Sequence, residues 1–275
     1  MDESTYLWKR YWCSREGKYL LTDEGYLHDP ESNYLMEEYP DVVSFQSISK
    51  NHCLILLGEP GIGKTSAMNE EAEDIDSGIE ASGGQTLRID LNSISDISGL
   101  SKLFDNDAIQ NWIKGEYSLH IFLDSLDECL LYIKNLVTIL LNQLKSFPKD
   151  RLYLRIACRT ADWQRLQILE IELKKLWDKD TIGVFELLPL TKRDVYNAAK
   201  TRGYDSEIFL RMIMDRDAGP LASRPVTLKF LLDTYGKNRE IPYGKINLYY
   251  EGCKLLCKEP NEYRKASENT ACVFG

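Results

Sequence analysis

The sequence predicts an α/β fold: a P-loop domain with a parallel sheet covered by helices, followed by a small α-helical domain. Three observations carry this. From residue 52 onward, short apolar runs alternate with segments of helical period, as expected for parallel strands joined by crossover helices. The apolar run 53–57 leads into Gly58-Glu59-Pro60-Gly61-Ile62-Gly63-Lys64-Thr65, which fits G-x-x-x-x-G-K-[ST] throughout. Such a loop needs a buried strand before it and a helix after it. After Pro189 the alternation stops and only helical segments follow.

The elements follow in order. Residues 1–45 are an irregular aromatic extension in which Tyr6, Trp8, Tyr11, Trp12, Tyr19, Tyr26 and Tyr34 stand among charges. There, Asp23-Glu24-Gly25 between two apolar stretches predicts a hairpin turn. The extension reads either as packing against the nucleotide domain or as a lid on the base side of a ligand. In the sheet domain, 46–190, strands are expected at 53–57, 86–91, 119–123, 152–157 and 184–188. Helices are expected from the glycine loop onward, over 100–112, over 130–147 and over 163–177. The helical domain, 191–275, holds segments 192–202, 206–214, 226–235 and 245–258, with Gly203 placed to end the first of them. Its ending without a further domain reads as a piece of a longer protein.

Bulk properties narrow the function classes. The 275 residues carry a net charge of −9, with 43% hydrophobic and 28% charged residues. Direct nucleic-acid binding is not expected of this segment, because nonspecific affinity comes from clustered Lys and Arg. No secretory signal opens the chain and no apolar run approaches ~20 residues, so a membrane partner is not expected and a cytoplasmic protein is. The seven cysteines are scattered and odd in number, which argues against a disulfide framework. Cys253 and Cys257, four apart, read as buried thiols rather than metal ligands.

The chemistry concentrates in three segments. Glycines let successive backbone N–H groups converge on a phosphate. Within the loop 58–66, Lys64 would then reach the β- and γ-phosphates of a nucleotide, Thr65 would hold Mg²⁺, and Ser66 would continue into the helix whose positive end faces the anion. ATP or ADP with Mg²⁺ is the expected cofactor set. The second segment, His120-Ile121-Phe122-Leu123-Asp124-Ser125-Leu126-Asp127-Glu128, is an apolar strand delivering Asp124 to the sheet edge where open α/β sheets bind ligands. Asp124 can complete the Mg²⁺ shell, and Asp127 or Glu128 can position the attacking water. In the third, a buried strand ends in Cys158-Arg159-Thr160. Arg159 either senses the third phosphate or caps the sheet edge through a carboxylate. Trp163 reads as a packing anchor.

Together these segments resemble the NACHT clade of the signal-transduction ATPases with numerous domains (STAND). The strand ending Asp124-Ser125-Leu126-Asp127-Glu128 matches its acidic motif, and Cys158-Arg159-Thr160 looks like its sensor-1 strand end. Leu187-Leu188-Pro189-Leu190-Thr191 is similar to the entry into its helical domain. Arg224-Pro225-Val226-Thr227 resembles the segment whose proline, here Pro225, contacts the nucleotide base. The Cys-Arg-Thr-x-x-Trp form is most like bacterial NACHT ATPases of antiviral defence. The resemblance implies a slowly hydrolysing ATP/ADP switch that self-associates through its nucleotide domain, acts in innate immunity, and answers a trigger sensed by another domain. The three histidines, His28, His52 and His120, lie before or within the sheet domain, so none fills the role of that family's winged-helix histidine. The motifs also admit an AAA+-like mechanochemical ATPase acting on nucleic acid or protein. A small-molecule kinase is weaker, because solvated helix faces explain the arginines from 193 to 216. A scaffold that binds nucleotide without hydrolysing it is a fourth reading.

Overall fold

A computed structural model describes residues 6, 8–32, 39–79, 84–177, 181–242 and 248–250. Contacts divide the chain into two compact units. One comprises Met1–Ser44, Pro60–Gly63 and Leu187–Gly275; the other comprises Phe45–Glu59 and Lys64–Glu186. The first unit opens with an antiparallel pair, β1 (Trp12–Ser14) and β2 (Val42–Val43).

The second unit begins with the single turn α1 (Phe45–Ile48) and then alternates as expected. Its strands are β3 (Cys53–Gly58), β4 (Gln85–Asp90), β5 (Leu119–Asp124), β6 (Leu152–Arg159) and β7 (Ile182–Leu187); the last residue of β7 already belongs to the first unit. They pair in parallel in the order β7-β3-β6-β5-β4. The fold is therefore α/β with a mostly parallel sheet. All six residues of β3 are buried, which is why its sequence is a continuous apolar run rather than an alternating one. Helix α2 (Lys64–Ile79) packs against β3, β4 and β5.

Helix boundaries differ from the expected ones for local reasons. The segment 100–112 is two helices, α3 (Ile97–Phe104) and α4 (Asp107–Lys114). Asn106 separates them: its Oδ1 accepts the Ile109 N–H at 2.9 Å, so the side chain starts a new helix. The segment 130–147 is likewise α5 (Leu126–Tyr132) and α6 (Leu136–Ser146). The segment 163–177 is the turn α7 (Thr160–Trp163) followed by α8 (Gln167–Leu176). One core joins both sides of these breaks, with Leu100, Phe104, Trp112, Leu140, Phe147, Trp163 and Leu169 all buried in it.

The first unit resumes with α9 (Lys192–Thr201), α10 (Ser206–Asp215), a short α11 (Gly219–Ala222) absent from the sequence reading, and α12 (Pro225–Asn238). Thr191 and Asp194 close a reciprocal capping box at the start of α9. At its end Gly203, with φ +71°, donates to Lys200 O while Tyr204 donates to Ala199 O. That is the Schellman pairing, which needs a left-handed residue. The hairpin turn also forms: Thr22 donates to Tyr26 O and Gly25, with φ +85°, donates to Thr22 O, both at 2.8 Å. Trp12 and Tyr26 are fully buried, and Tyr26 shares a core with Val195, Phe209 and Leu228. Of the expected helix over 245–258, only 248–250 are described, and they are helical. Cys253 and Cys257 lie outside the described residues. Among those described, Cys13, Cys53, Cys129 and Cys158 are buried free thiols. No helix of the described residues is long and apolar enough to cross a membrane.

Candidate functional site

The glycine loop lies where the pattern requires it, between buried β3 and α2, with Lys64 as the first helical residue. Gly61 and Gly63 have φ of +71° and +93°, a region that residues with a Cβ rarely enter. At Gly63 an added Cβ would stand 3.4 Å from Pro225 Cγ, near ordinary contact, so the backbone conformation is what calls for glycine. Gly58 is different: it is the buried last residue of β3 and has no positive φ. The loop therefore takes its left-handed turns at the second and third glycines.

Lys64 Nζ donates to Gly58 O at 2.5 Å and to Glu59 O at 3.3 Å, folding back over its own loop. Burial lowers the Lys64 pKa, while the charges of Asp127 and Asp124 oppose that shift. Glu59, Thr65 and Ser66 are exposed, Pro60 is half-buried, and Ile62 is buried. Pro225 opens α12 within the first unit, and Val226 N approaches Gly61 O at 3.4 Å.

The acidic segment occupies the end of β5 and the start of α5. Asp124, half-buried, accepts the Ser125 N–H at 2.8 Å. Ser125 has φ 61°, and this left-handed turn lets the chain leave the strand and enter α5 at once. A non-glycine held there stores strain of about 1 kcal/mol, a pattern common at functional sites. Asp127 and Glu128 then fall in the first turn of α5, where carboxylates complement the helix dipole.

Arg159 ends β6, the strand between β3 and β5, and is in register with Gly58. Its Nε lies 3.2 Å from Asp127 Oδ2, and its Nη2 lies 2.9 Å from Glu128 Oε1. Its backbone N–H donates to Asp127 Oδ1 at 3.1 Å. Of the two open readings of Arg159, the structure thus shows the carboxylate partnership. Asp127 is 4% exposed, Glu128 12% and Arg159 20%. The Cys158 thiol is held well above its ordinary range, first by burial and then by the Asp127 charge. Two participants escaped the sequence reading. Ser125 carries the strained turn, and Glu186 on β7 accepts the Thr160 hydroxyl at 3.1 Å. Trp163 is a packing anchor as expected, fully buried with Nε1 donating to Glu170 at 3.1 Å.

The residues present fit a nucleotide phosphate with Mg²⁺. Lys64 supplies a cation for the phosphates, and Thr65 and Asp124 supply the hydroxyl and carboxylate oxygens that suit Mg²⁺. A separate cleft of about 500 Å³ is lined by His52, Lys149, Lys174, Lys175, Trp177 and Thr181. Its lysines already pair with protein acceptors: Lys149 with carbonyls, Lys174 with Glu170 and Lys175 with Glu172.

No protein-family model matches the chain, and no curated protein matches it. Solved structures similar to it include the Orc1 protein of Aeropyrum pernix in complex with DNA, at TM-score 0.46 and 14% identity over 74% of this chain and 59% of that one. A mutant RuvB of Thermotoga maritima follows at TM-score 0.41 and 15% identity, over 74% and 62% of the two chains. The Walker-type ATPase of Pyrococcus abyssi has TM-score 0.46 and 12% identity, over 88% and 77%. The chain thus spans about three fifths of the length of the first two. Likeness this distant carries nothing about function, which rests on the residues themselves.

Proposed function

We propose that this chain is the nucleotide-binding module of a cytoplasmic STAND-type switch that binds ATP or ADP with Mg²⁺ and hydrolyses ATP slowly. The observation that supports it most is the order of strand ends along one sheet edge. β3 leads into the loop with Lys64 and Thr65, β6 ends at Arg159, and β5 ends at Asp124 followed by Asp127 and Glu128. A lysine-bearing glycine loop, an arginine and three carboxylates at adjoining strand ends are what phosphoryl chemistry needs for charge balance and water positioning.

In this reading the backbone of 58–66 and Lys64 hold the β- and γ-phosphates, and Thr65 and Asp124 hold Mg²⁺. Asp127 or Glu128 orients water, Arg159 reads the third phosphate, and Pro225 borders the base. Bound Mg²⁺ would neutralise phosphate charge. Self-association through the nucleotide domain, an antiviral role and a trigger sensed elsewhere in a longer protein belong to the same reading through the NACHT resemblance.

Replacing Lys64 with Ala is expected to abolish binding of a fluorescent ATP analogue while the melting profile stays cooperative. Unchanged affinity would sink the assignment. Fast turnover strongly stimulated by nucleic acid would replace the switch by a motor.

A further inference from the structure

We propose that Arg10, in the aromatic N-terminal extension, is a further determinant of phosphate affinity that supplies a fixed positive charge beside the glycine loop. The inference rests on the proposed nucleotide site and deepens it. Arg10 precedes β1, and among its partners is Leu188 O, just past the end of β7, which accepts from Nη2 at 2.7 Å. The backbone repeats the connection one residue on, where the Leu188 N–H donates to Tyr11 O at 3.0 Å. Arg10 Nη1 lies 3.6 Å from where a Cβ of Gly63 would stand, and Pro225 Cγ lies 3.4 Å from the same point. Arg10, loop residues 60–63, Leu188 and Pro225 all belong to the first compact unit. The extension thus carries a charge into van der Waals range of the last glycine of the loop.

Position gives this charge its effect. Successive N–H groups of such a loop converge on an anion, and Gly63, with φ +93°, is one of the two glycines that turn it. Bond lengths and one normal hydrogen bond then put the guanidinium within about 10 Å of a phosphate held at the Gly63 N–H. Arg10 Nε and Nη1 are buried atoms, so solvent screens the charge less than it would on an exposed side chain. The bond to Leu188 O fixes the guanidinium before a ligand arrives, so its attraction costs no reordering on binding. Arg10 acts through its field on the nucleoside phosphate rather than by touching it, and an uncharged nucleoside gains nothing from it. The competing account is that Arg10 only ties the extension to the chain after β7, in which case the hydrogen bond matters and the charge does not.

The test is equilibrium binding of ADP with Mg²⁺, and of adenosine by competition, to the full chain and to Arg10→Lys, Arg10→Gln and Arg10→Met. Arg10→Lys keeps the charge, Arg10→Gln keeps a donor for Leu188 O without the charge, and Arg10→Met keeps neither. Arg10→Gln and Arg10→Met should each weaken ADP binding about tenfold at low salt and leave adenosine unchanged. Arg10→Lys should stay within about twofold of the unmodified chain, and about 0.5 M salt should shrink the ADP differences. Equal losses for ADP and adenosine, Arg10→Gln matching the unmodified chain, or Arg10→Lys failing like Arg10→Met would overturn the proposal and leave the nucleotide site standing. Failure of the unmodified chain to bind ADP would overturn both. If Arg10→Met loses its cooperative melt, Arg10→Gln, which retains the donor, carries the same comparison.

Discussion

Glu71 gives helix α2 a pH dependence of definite sign. It lies seven residues after Lys64 and is mostly buried. Burial, then Asp74 and Glu70, push its pKa from the ordinary 4.5 to about 7, against a smaller opposing pull from Arg155. An acid with a raised folded pKa favours the folded state only while protonated. Its contribution is therefore intact below the unfolded pKa of 4.5, and is lost as pH rises through about 7. The full span corresponds to about 3 kcal/mol, and the partial exposure of the side chain reduces it to about 1.5 kcal/mol. Glu71→Gln removes the ionisation, so it should stabilise the protein by about that amount at pH 8.5 and hardly at all at pH 4.5. In thermal melts the gain at pH 8.5 is about 3–6 °C for a protein of this size. Equal gains at the two pH values would refute the linkage, because a packing effect has no reason to follow the titration. No gain at pH 8.5 would show that α2 shifts to hydrate the carboxylate.

Two stability predictions stand beside it. Ser125→Gly should raise the urea midpoint, corresponding to about 0.5–1 kcal/mol, by relieving the left-handed backbone, whereas Ser125→Val should lower stability by about 2 kcal/mol; the reverse order would remove strain from the account of this turn. Arg155, fully buried in β6, donates to Ser49 O at 2.6 Å and Asn51 O at 2.7 Å. Arg155→Met should cost about 3 kcal/mol in urea unfolding while nucleotide affinity of the folded protein stays unchanged, since those carbonyls lose a charged donor.

The parallel strands were legible because burial on both faces leaves a run such as Cys53-Leu54-Ile55-Leu56-Leu57 with one reading. Helix ends were less so. Asn106 lies within an otherwise helical pattern, and only its side-chain bond to Ile109 N–H decides that a helix restarts there. The short α11 has too few residues for any periodicity. At the site, Gly61, Gly63, Lys64 and Asp124 were legible from spacing, since their local order dictates their placement. The partner of Arg159 was not, because an arginine at a strand end has equal chemical reason to meet phosphate or carboxylate. Arg155 had no signal: a charge inside an apolar strand gives no hint that backbone carbonyls 104 and 106 residues earlier in the chain accept from it.

The arrangement of charges distinguishes the two carboxylates at the start of α5. Asp127 is nearly fully buried and has both oxygens on Arg159, one on the backbone and one on the side chain. A buried carboxylate so bound costs several kcal/mol to uncover, so it joins α5 to β6. Glu128, one residue on in the same helical turn, is slightly more exposed at 12% and pairs with Nη2 of the same arginine at 2.9 Å. Placing the two acids side by side in the first turn of α5 thus ties that helix to the end of β6 through a single arginine common to both.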